Sequence, residues 1–321
     1  GACLSQGRAQ TKSAVSYKNP VVDIAMPDPT VIKAADGYFY VYATESTRNV
    51  PIMKSKDLVE WTYCNTAFTN KTRPRFEPKA GIWAPDINYI NGKYVLYYAM
   101  SVWGGEQTCG IGVATANSPQ GPFTDHGKMF RSNEIGVQNS IDPSLLQYEG
   151  RNYLVWGSFR GIYVIELTAD GLSIMPGAKK KRIAGTAFEA VYIHKYGDYY
   201  YMFASIGSCC QGVKSTYKVV VGRSKKVWGP YKDKTGKPML KNGYSLVIGA
   251  NDHFVGNGHG SQIIRDDAGQ DWLLYHGFLR STPENGRILL LDQIKWDQEG
   301  WPYVEGGSPS YETQKAPVFN N

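Results

Sequence analysis

The chain has 321 residues, is 42% hydrophobic and 13% aromatic, and carries a formal net charge of +7. This is the composition of a globular chain long enough to bury a sizeable core, which excludes a disordered or low-complexity one. It contains neither the roughly 18 consecutive apolar residues of a transmembrane helix nor a block of five like charges, the mark of a nucleic-acid arm.

The densest basic run, Lys179-Lys180-Lys181-Arg182, lies between turn signals and reads as a solvated loop. The positive balance is compatible with attraction to an acidic polymer but does not establish it. The five cysteines are Cys3, Cys64, Cys109, Cys209 and Cys210. An odd number without a CxxC pair argues against a zinc site or a dense disulfide framework. Adjacent Cys209 and Cys210 allow two buried thiols, the commoner outcome, or a vicinal bridge.

In chain order, residues 1–18 are polar and read as a loose tail. Small residues before Cys3 resemble the end of a bacterial lipoprotein signal, and an ordinary cysteine is the alternative. The expected location is secreted, periplasmic or surface lipoprotein, with Cys3 as the candidate lipid anchor. From Val21 onward, runs of four to eight residues alternate with Gly, Asn, Asp and Pro clusters, the pattern of an all-β fold.

One unit recurs. Asp28-Pro29-Thr30 leads through Gly37 to Tyr38-Phe39-Tyr40-Val41-Tyr42, and Asp86 leads through Gly92 to Tyr94-Val95-Leu96-Tyr97-Tyr98. Asp142, Glu189 and Ser261 head three further copies, with returning strands at Tyr153-Trp156, Tyr199-Phe203 and Trp272-Tyr275. The leading residues lie 47 to 72 residues apart. Each interval fits four short strands, so residues 19–321 are expected to form a single five-bladed β-propeller. An open ring would leave an edge exposed. Val21-Val22-Asp23 is therefore expected to pair near Leu289-Leu290-Leu291.

In a propeller, equivalent positions of the inner strands converge at one mouth of the channel. Asp28, Asp86, Asp142 and Glu189 should meet there, and crowded carboxylates raise at least one pKa. A single Asp-Pro is a common turn; four acids in register point to acid–base chemistry. Two carboxylates across a cleft with aromatic side chains suit glycoside hydrolysis, one protonated as acid and one ionised as base.

Further phrases carry a resemblance. They are Trp83-Ala84-Pro85-Asp86-Ile87, Asn139-Ser140-Ile141-Asp142-Pro143, Gly157-Ser158-Phe159, Phe188-Glu189-Ala190, Cys209-Cys210-Gln211-Gly212-Val213-Lys214-Ser215-Thr216-Tyr217 and Gly258-His259-Gly260-Ser261. From about Pro20 to Tyr303 the chain resembles the endo-1,5-α-L-arabinanases of glycoside hydrolase family 43. The Cys-Cys phrase points to this branch and away from the xylosidases.

The resemblance implies an inverting hydrolase acting on arabinan or arabino-oligosaccharide, with Asp28 as general base and Glu189 as general acid. It implies Asp142 as the neighbour that raises and orients the acid, ionised beside a protonated Glu189. Trp83 would stack on sugar, and Asn139 and Ser158 would bond it. Asp86 is a substrate-site candidate whose simpler role is to hold the turn at Trp83-Ala84-Pro85. His259 would hold a hydrated ion, commonly Ca2+, on the channel axis. An exo-acting furanosidase and a non-catalytic sugar-binding propeller are the alternatives. A monomer is expected, without a nucleic-acid partner. The chain departs from the family pattern at Pro27, Arg160, Val191 and Gly260, all near the cleft.

Overall fold

A computed structural model describes residues 13–320. Residues 1–12, with Cys3 and the expected lipid anchor, and residue 321 lie outside the described residues. Five antiparallel sheets follow one another around a ring. From the axis outward, blade 1 contains Thr30–Lys33, Phe39–Tyr42, Pro51–Ser55 and Thr62–Thr66. Blade 2 contains Gly81–Ile90, Lys93–Ser101, Gly110–Ala116 and Thr124–Arg131. Blade 3 contains Ser144–Tyr148, Arg151–Trp156, Ile162–Leu167 and Lys181–Ala184. Blade 4 contains Glu189–Tyr196, Tyr199–Ile206, Lys218–Ser224 and Ser245–Ile248.

Blade 5 is built differently. Its inner strand is split into Phe254–Gly258 and Ile264–Arg265, both paired with Asp271–Leu279. Next comes Ile288–Trp296, and the outer position is taken by Val22–Ala25 from the start of the chain. Val22 pairs with Leu289, the pairing expected from the sequence. Ring closure thus removes an open edge without a further segment.

Each second strand is apolar on both faces because each face meets a different neighbour. Successive side chains point oppositely. Tyr40 and Tyr42 pack towards blade 2 with Leu96 and Tyr98. Phe39 and Val41 pack towards blade 5 with Leu274 and Leu289. Similar clusters fill the other three blade interfaces. This explains continuous runs such as Phe39-Tyr40-Val41-Tyr42, which a one-sided sheet would interrupt with polar residues. Among the described residues, no helix is long and apolar enough to cross a membrane.

Residues 16 and 17, expected to belong to a loose tail, form a strand instead. Ser16–Tyr17 pairs with Gln314–Lys315, and buried Tyr17 donates its hydroxyl to the Leu291 carbonyl at 2.8 Å. An aromatic residue with an apolar pocket and an acceptor within reach outweighs the polar character of its flanks. Asn19, also buried, donates to the Leu291 carbonyl at 2.9 Å and accepts from the Leu291 N–H at 2.9 Å. Its amide thus stands in for a strand residue beside blade 5. Replacing it leaves the buried Leu291 N–H without a partner and the Leu291 carbonyl with Tyr17 as its one side-chain donor, so Asn19→Ala is expected to lower unfolding free energy by about 1–3 kcal/mol in urea melts. An unchanged midpoint would show that the clasp does not depend on this amide.

Candidate active site

The inner strands share one backbone device. Each carries, in or just before its channel-mouth portion, a residue in the left-handed region: Asp28 (φ 55°), Ala84 (φ 36°), Asp142 (φ 57°), Ala190 (φ 54°) and His259 (φ 53°). Such a residue costs roughly 1–2 kcal/mol without compensation. Compensation comes from the preceding blade. The Asp28 N–H donates to His276 Nδ1 at 3.0 Å, and the Ala84 N–H to Thr44 Oγ1 at 2.7 Å. The Ala190 N–H donates to Asp142 Oδ2 at 3.0 Å, and the His259 N–H to Ser205 Oγ at 2.9 Å.

This alignment corrects the register read from the sequence. The equivalent residues are 28, 84, 142, 190 and 259, so His259, not Ser261, belongs with Asp28 and Asp142. Asp86 stands level with Thr30, two residues further along its strand. There it accepts from the Leu145 N–H at 2.9 Å, Asn88 Nδ2 at 2.7 Å and Gln262 Nε2 at 3.1 Å. Gln262 Nε2 also donates to Thr30 Oγ1 at 2.8 Å. Asp86 therefore ties blades 2, 3 and 5 around the channel, in a layer below the cleft. Burial pushes its carboxyl up to about 7, against the pull of Asn88 and the Leu145 N–H. The expected substrate contact is not where Asp86 lies.

Above that layer is a cleft of about 700 Å³. It is lined by Asp28, Asp142, Glu189, His259, Asn139 and Ser158, with Trp83 and Trp103 on one wall. The inner edges of all five blades thus bring together most of the residues singled out in the sequence. The Trp83 and Trp103 rings lie 5.4 Å apart, and Trp103 is 78% exposed. An exposed indole at the rim of a polar cleft offers a face for sugar stacking.

The carboxylates occupy opposite electrostatic settings. Asp28 accepts from Thr44 Oγ1 at 2.6 Å, His259 Nδ1 at 2.9 Å and Arg287 Nη1 at 3.2 Å. Burial alone would raise its pKa, but Arg287 and His259 outweigh burial and hold it well below the usual carboxylate range. His259 would lose its proton through burial, yet Asp28 and the other two acids hold it up to about 9. His276 approaches Asp28 Oδ1 at 3.4 Å, but its Nδ1 accepts the Asp28 N–H. That ring is therefore neutral, consistent with burial and Arg287 driving its pKa well down.

Glu189 accepts from Ser158 Oγ at 2.6 Å and from the Tyr217 hydroxyl at 2.5 Å. Burial still raises its pKa, and Asp28 adds to the rise, while the two hydroxyls oppose it. Asp142 is pushed well above the carboxylate range, first by burial and then by Glu189. The expectation of a plainly ionised Asp142 thus changes. Glu189 has two hydroxyl donors to stabilise its anion, whereas Asp142 has the Ala190 N–H, so the two titrate as a pair that shares a proton.

His259 is the candidate metal ligand. One nitrogen is already spent on Asp28, and the channel beneath it encloses about 20 Å³, room for a single water-sized guest. Among the described residues, no group of three or more His, Cys, Asp or Glu side chains is placed to hold a metal. Calcium prefers a shell of six to eight oxygens, and these residues do not form one on their own.

The sequence model of the glycosyl hydrolases family 43 matches residues 17–302. The chain belongs to glycoside hydrolase family 43. This family 43 chain is 37% identical over 290 residues to an extracellular endo-α-(1→5)-L-arabinanase of Bacillus subtilis, with 86% of each chain covered. It is 36% identical over 307 residues to an extracellular exo-α-(1→5)-L-arabinofuranosidase of Cellvibrio japonicus, covering 87% of this chain and 86% of the other. Its fold superposes on the Cellvibrio cellulosa α-L-arabinanase complexed with arabinohexaose with a TM-score of 0.79 at 33% identity. That match covers 88% of this chain and 95% of the other.

Sequence reasoning missed several residues of this family 43 site. Thr44 joins Asp28 to the Ala84 N–H, and Arg287 arrives from the last blade. Tyr217 ends the Cys-Cys phrase, but nothing in that phrase announced a bond to Glu189. A hint lay in Gly258: a Cβ there would come within 2.2 Å of the Tyr217 ring. Ser158, expected on sugar, spends its hydroxyl on Glu189. Cys209 and Cys210 form the vicinal bridge, not the commoner pair of thiols, and their loop lines the cleft. Arg160, one of the departures, is held by Glu106 at 2.9 Å on the cleft rim.

Proposed function

We propose that this chain is an endo-acting, inverting hydrolase of the α-1,5-L-arabinofuranosyl linkages in arabinan. The observation that carries this reading is the opposed setting of acids lining one cleft: Asp28 lies against Arg287 and His259, which favour its ionised form, while Glu189 and Asp142 are met by hydroxyls and one backbone N–H, where burial favours a retained proton. An inverting glycosidase needs this division. Asp28 takes a proton from the attacking water, with Arg287 and Thr44 fixing its two oxygens. Glu189 gives a proton to the departing glycosidic oxygen. Ser158 and Tyr217 turn from donors to the carboxylate into orienters of the protonated acid, because hydroxyls can donate or accept. Trp83 and Trp103 supply a stacking wall, and Asn139 lies beside it. Action outside the cell is supported by the two relatives named as extracellular.

Time-resolved product analysis on linear arabinan tests the reading. Mid-length oligomers appearing first support endo action, arabinose alone would convert it to exo, and no products would overturn it. NMR of the first-released anomer tests inversion. Asp28→Asn and Glu189→Gln preserve shape while removing base and acid, so kcat is expected to fall by roughly 10²–10⁴-fold with an unchanged melt. Near-normal turnover by either variant would remove its assignment.

Activity should fall on the alkaline side as the Asp142–Glu189 pair loses its proton. On the acid side it should fall only below the usual carboxylate range, where Asp28 becomes protonated. Tyr217 stabilises the ionised acid, so Tyr217→Phe raises the Glu189 pKa and moves the alkaline limb of kcat/KM to higher pH. A limb that stays put or moves down would show that this hydroxyl does not tune the acid.

The Ca2+ ion implied by the resemblance enters this proposal only as a hydrated guest that takes the place of the His259 Nε2 proton, since a protonated ring has no lone pair to offer, with water as its oxygen shell. No step above passes through it. Chelation should lower the melting temperature and calcium should restore it; a melt indifferent to both would remove the ion from the proposal.

A further inference from the structure

A second concavity of about 550 Å³ lies where blades 3 and 4 meet. Tyr148 ends the inner strand of blade 3, and Asp142 stands before its first residue. The two are six residues apart, so an extended chain separates them by roughly 20 Å. Lys195 occupies the end of the blade 4 inner strand away from Glu189, and Lys225 follows the third strand, which runs in the same direction. The concavity therefore opens on the face of the propeller opposite the cleft.

Its lining pairs aromatic rings with positive charge. Trp228 is half-buried against Tyr153, with centroids 4.9 Å apart, and Tyr148 stands edge-on to it at 6.4 Å. Lys195 lies 5.3 Å over the Tyr200 ring. Lys181, Lys225 and Lys226 bring the lining to four lysines against one acid, Asp198. Among the described residues, the lysine ion pairs are Lys128–Glu134 and Lys295–Glu305, so none of these four is neutralised by a carboxylate. A cluster of like charges without counter-ions repels itself and destabilises the fold slightly. Nothing in the cleft chemistry uses it.

We propose that this concavity binds a uronate-containing oligosaccharide, such as a stretch of polygalacturonate. A pyranose offers an apolar C–H face to an aromatic ring, and each uronate places one carboxylate at the ring edge. Lysine suits that ligand as a flexible point charge for single carboxylates, whereas bidentate phosphate recognition favours arginine, which is missing from the lining. Neutral arabinan has no group for the lysines. The acidic chain and the cleft's substrate thus occupy opposite faces and do not compete. Holding an acidic polymer on one face raises the local concentration of sugar side chains at the other. That consequence rests on the proposed arabinan activity; binding of the uronate does not.

Calorimetric titration with oligogalacturonate at low salt tests the inference, using the full chain. Binding is expected to weaken with salt, and to weaken at least about tenfold in Trp228→Ala and in the double variant Lys195→Gln, Lys225→Gln. The methyl-esterified oligomer, the same sugar without charge, should bind correspondingly less. The lysine variant changes only exposed side chains, so it carries the test if Trp228→Ala melts early. Hydrolysis of a short neutral arabino-oligosaccharide should be the same in all variants, which separates this site from the cleft. Absence of binding, equal binding by the lysine variant, or equal affinity for the esterified oligomer would overturn the proposal. So would polyphosphate or single-stranded DNA binding as tightly, since that would mark a general polyanion patch.

Discussion

The site depends on the hydrogen bonds that four of the five blades give to the left-handed residue of the next. A left-handed residue at the head of an inner strand swings its side chain out of the pleat and towards the channel mouth. That conformation is costly for aspartate, alanine and histidine, and persists because the neighbouring blade binds the exposed N–H. Thr44 shows how closely scaffold and site are joined: one hydroxyl accepts from the Ala84 N–H and donates to Asp28. For Asp28 and Asp142, strain in the backbone and placement of the carboxylate are therefore the same structural fact.

A second constraint is charge sorting within one buried space. Asp28, Asp142 and Glu189 experience similar desolvation, which by itself would protonate all three. Arg287 and a protonated His259 are delivered to one side, so Asp28 ionises. The other two acids are left with hydroxyls and one backbone N–H. Dipoles of that kind temper the rise without abolishing it, and a proton stays with the pair. The difference between Asp28 and the other two carboxyls is thus made by where cations stand, not by how deeply each is buried.

Much of this was legible in the chain. Two-faced apolar runs such as Tyr94-Val95-Leu96-Tyr97-Tyr98, repeated at blade-sized intervals, suffice for the propeller. Asp28 and Asp142 stand out by repetition, and Glu189 was found beside the repeat, one residue before the equivalent Ala190. Hydrophobic alternation, however, fixes the face of a residue only where the pleat is regular. One left-handed residue at each strand entrance displaces the count, which is why Asp86 and Ser261 seemed to belong with Asp28. Arg287 and Tyr217 were invisible for another reason. Each reaches its carboxylate across a blade boundary, from a segment distant in sequence, and no local pattern encodes such a contact. Tyr17 was misjudged because burial of a single aromatic residue overrode the polar composition around it.

The clasp between Val22–Ala25 and the last blade has a consequence for how the enzyme comes into being. Asp28 lies three residues beyond that clasping strand, yet His259, His276 and Arg287, which set its charge and hold its backbone, all belong to the final blade. A ribosome produces Asp28 well before these surroundings. Until the ring shuts, Asp28 has neither its cations nor the bond that holds its turn. Assembly is thereby coupled to the electrostatics of the cleft: a partly made or partly opened propeller holds the acids but not the cations that set them apart, and those arrive only when the first and last blades meet.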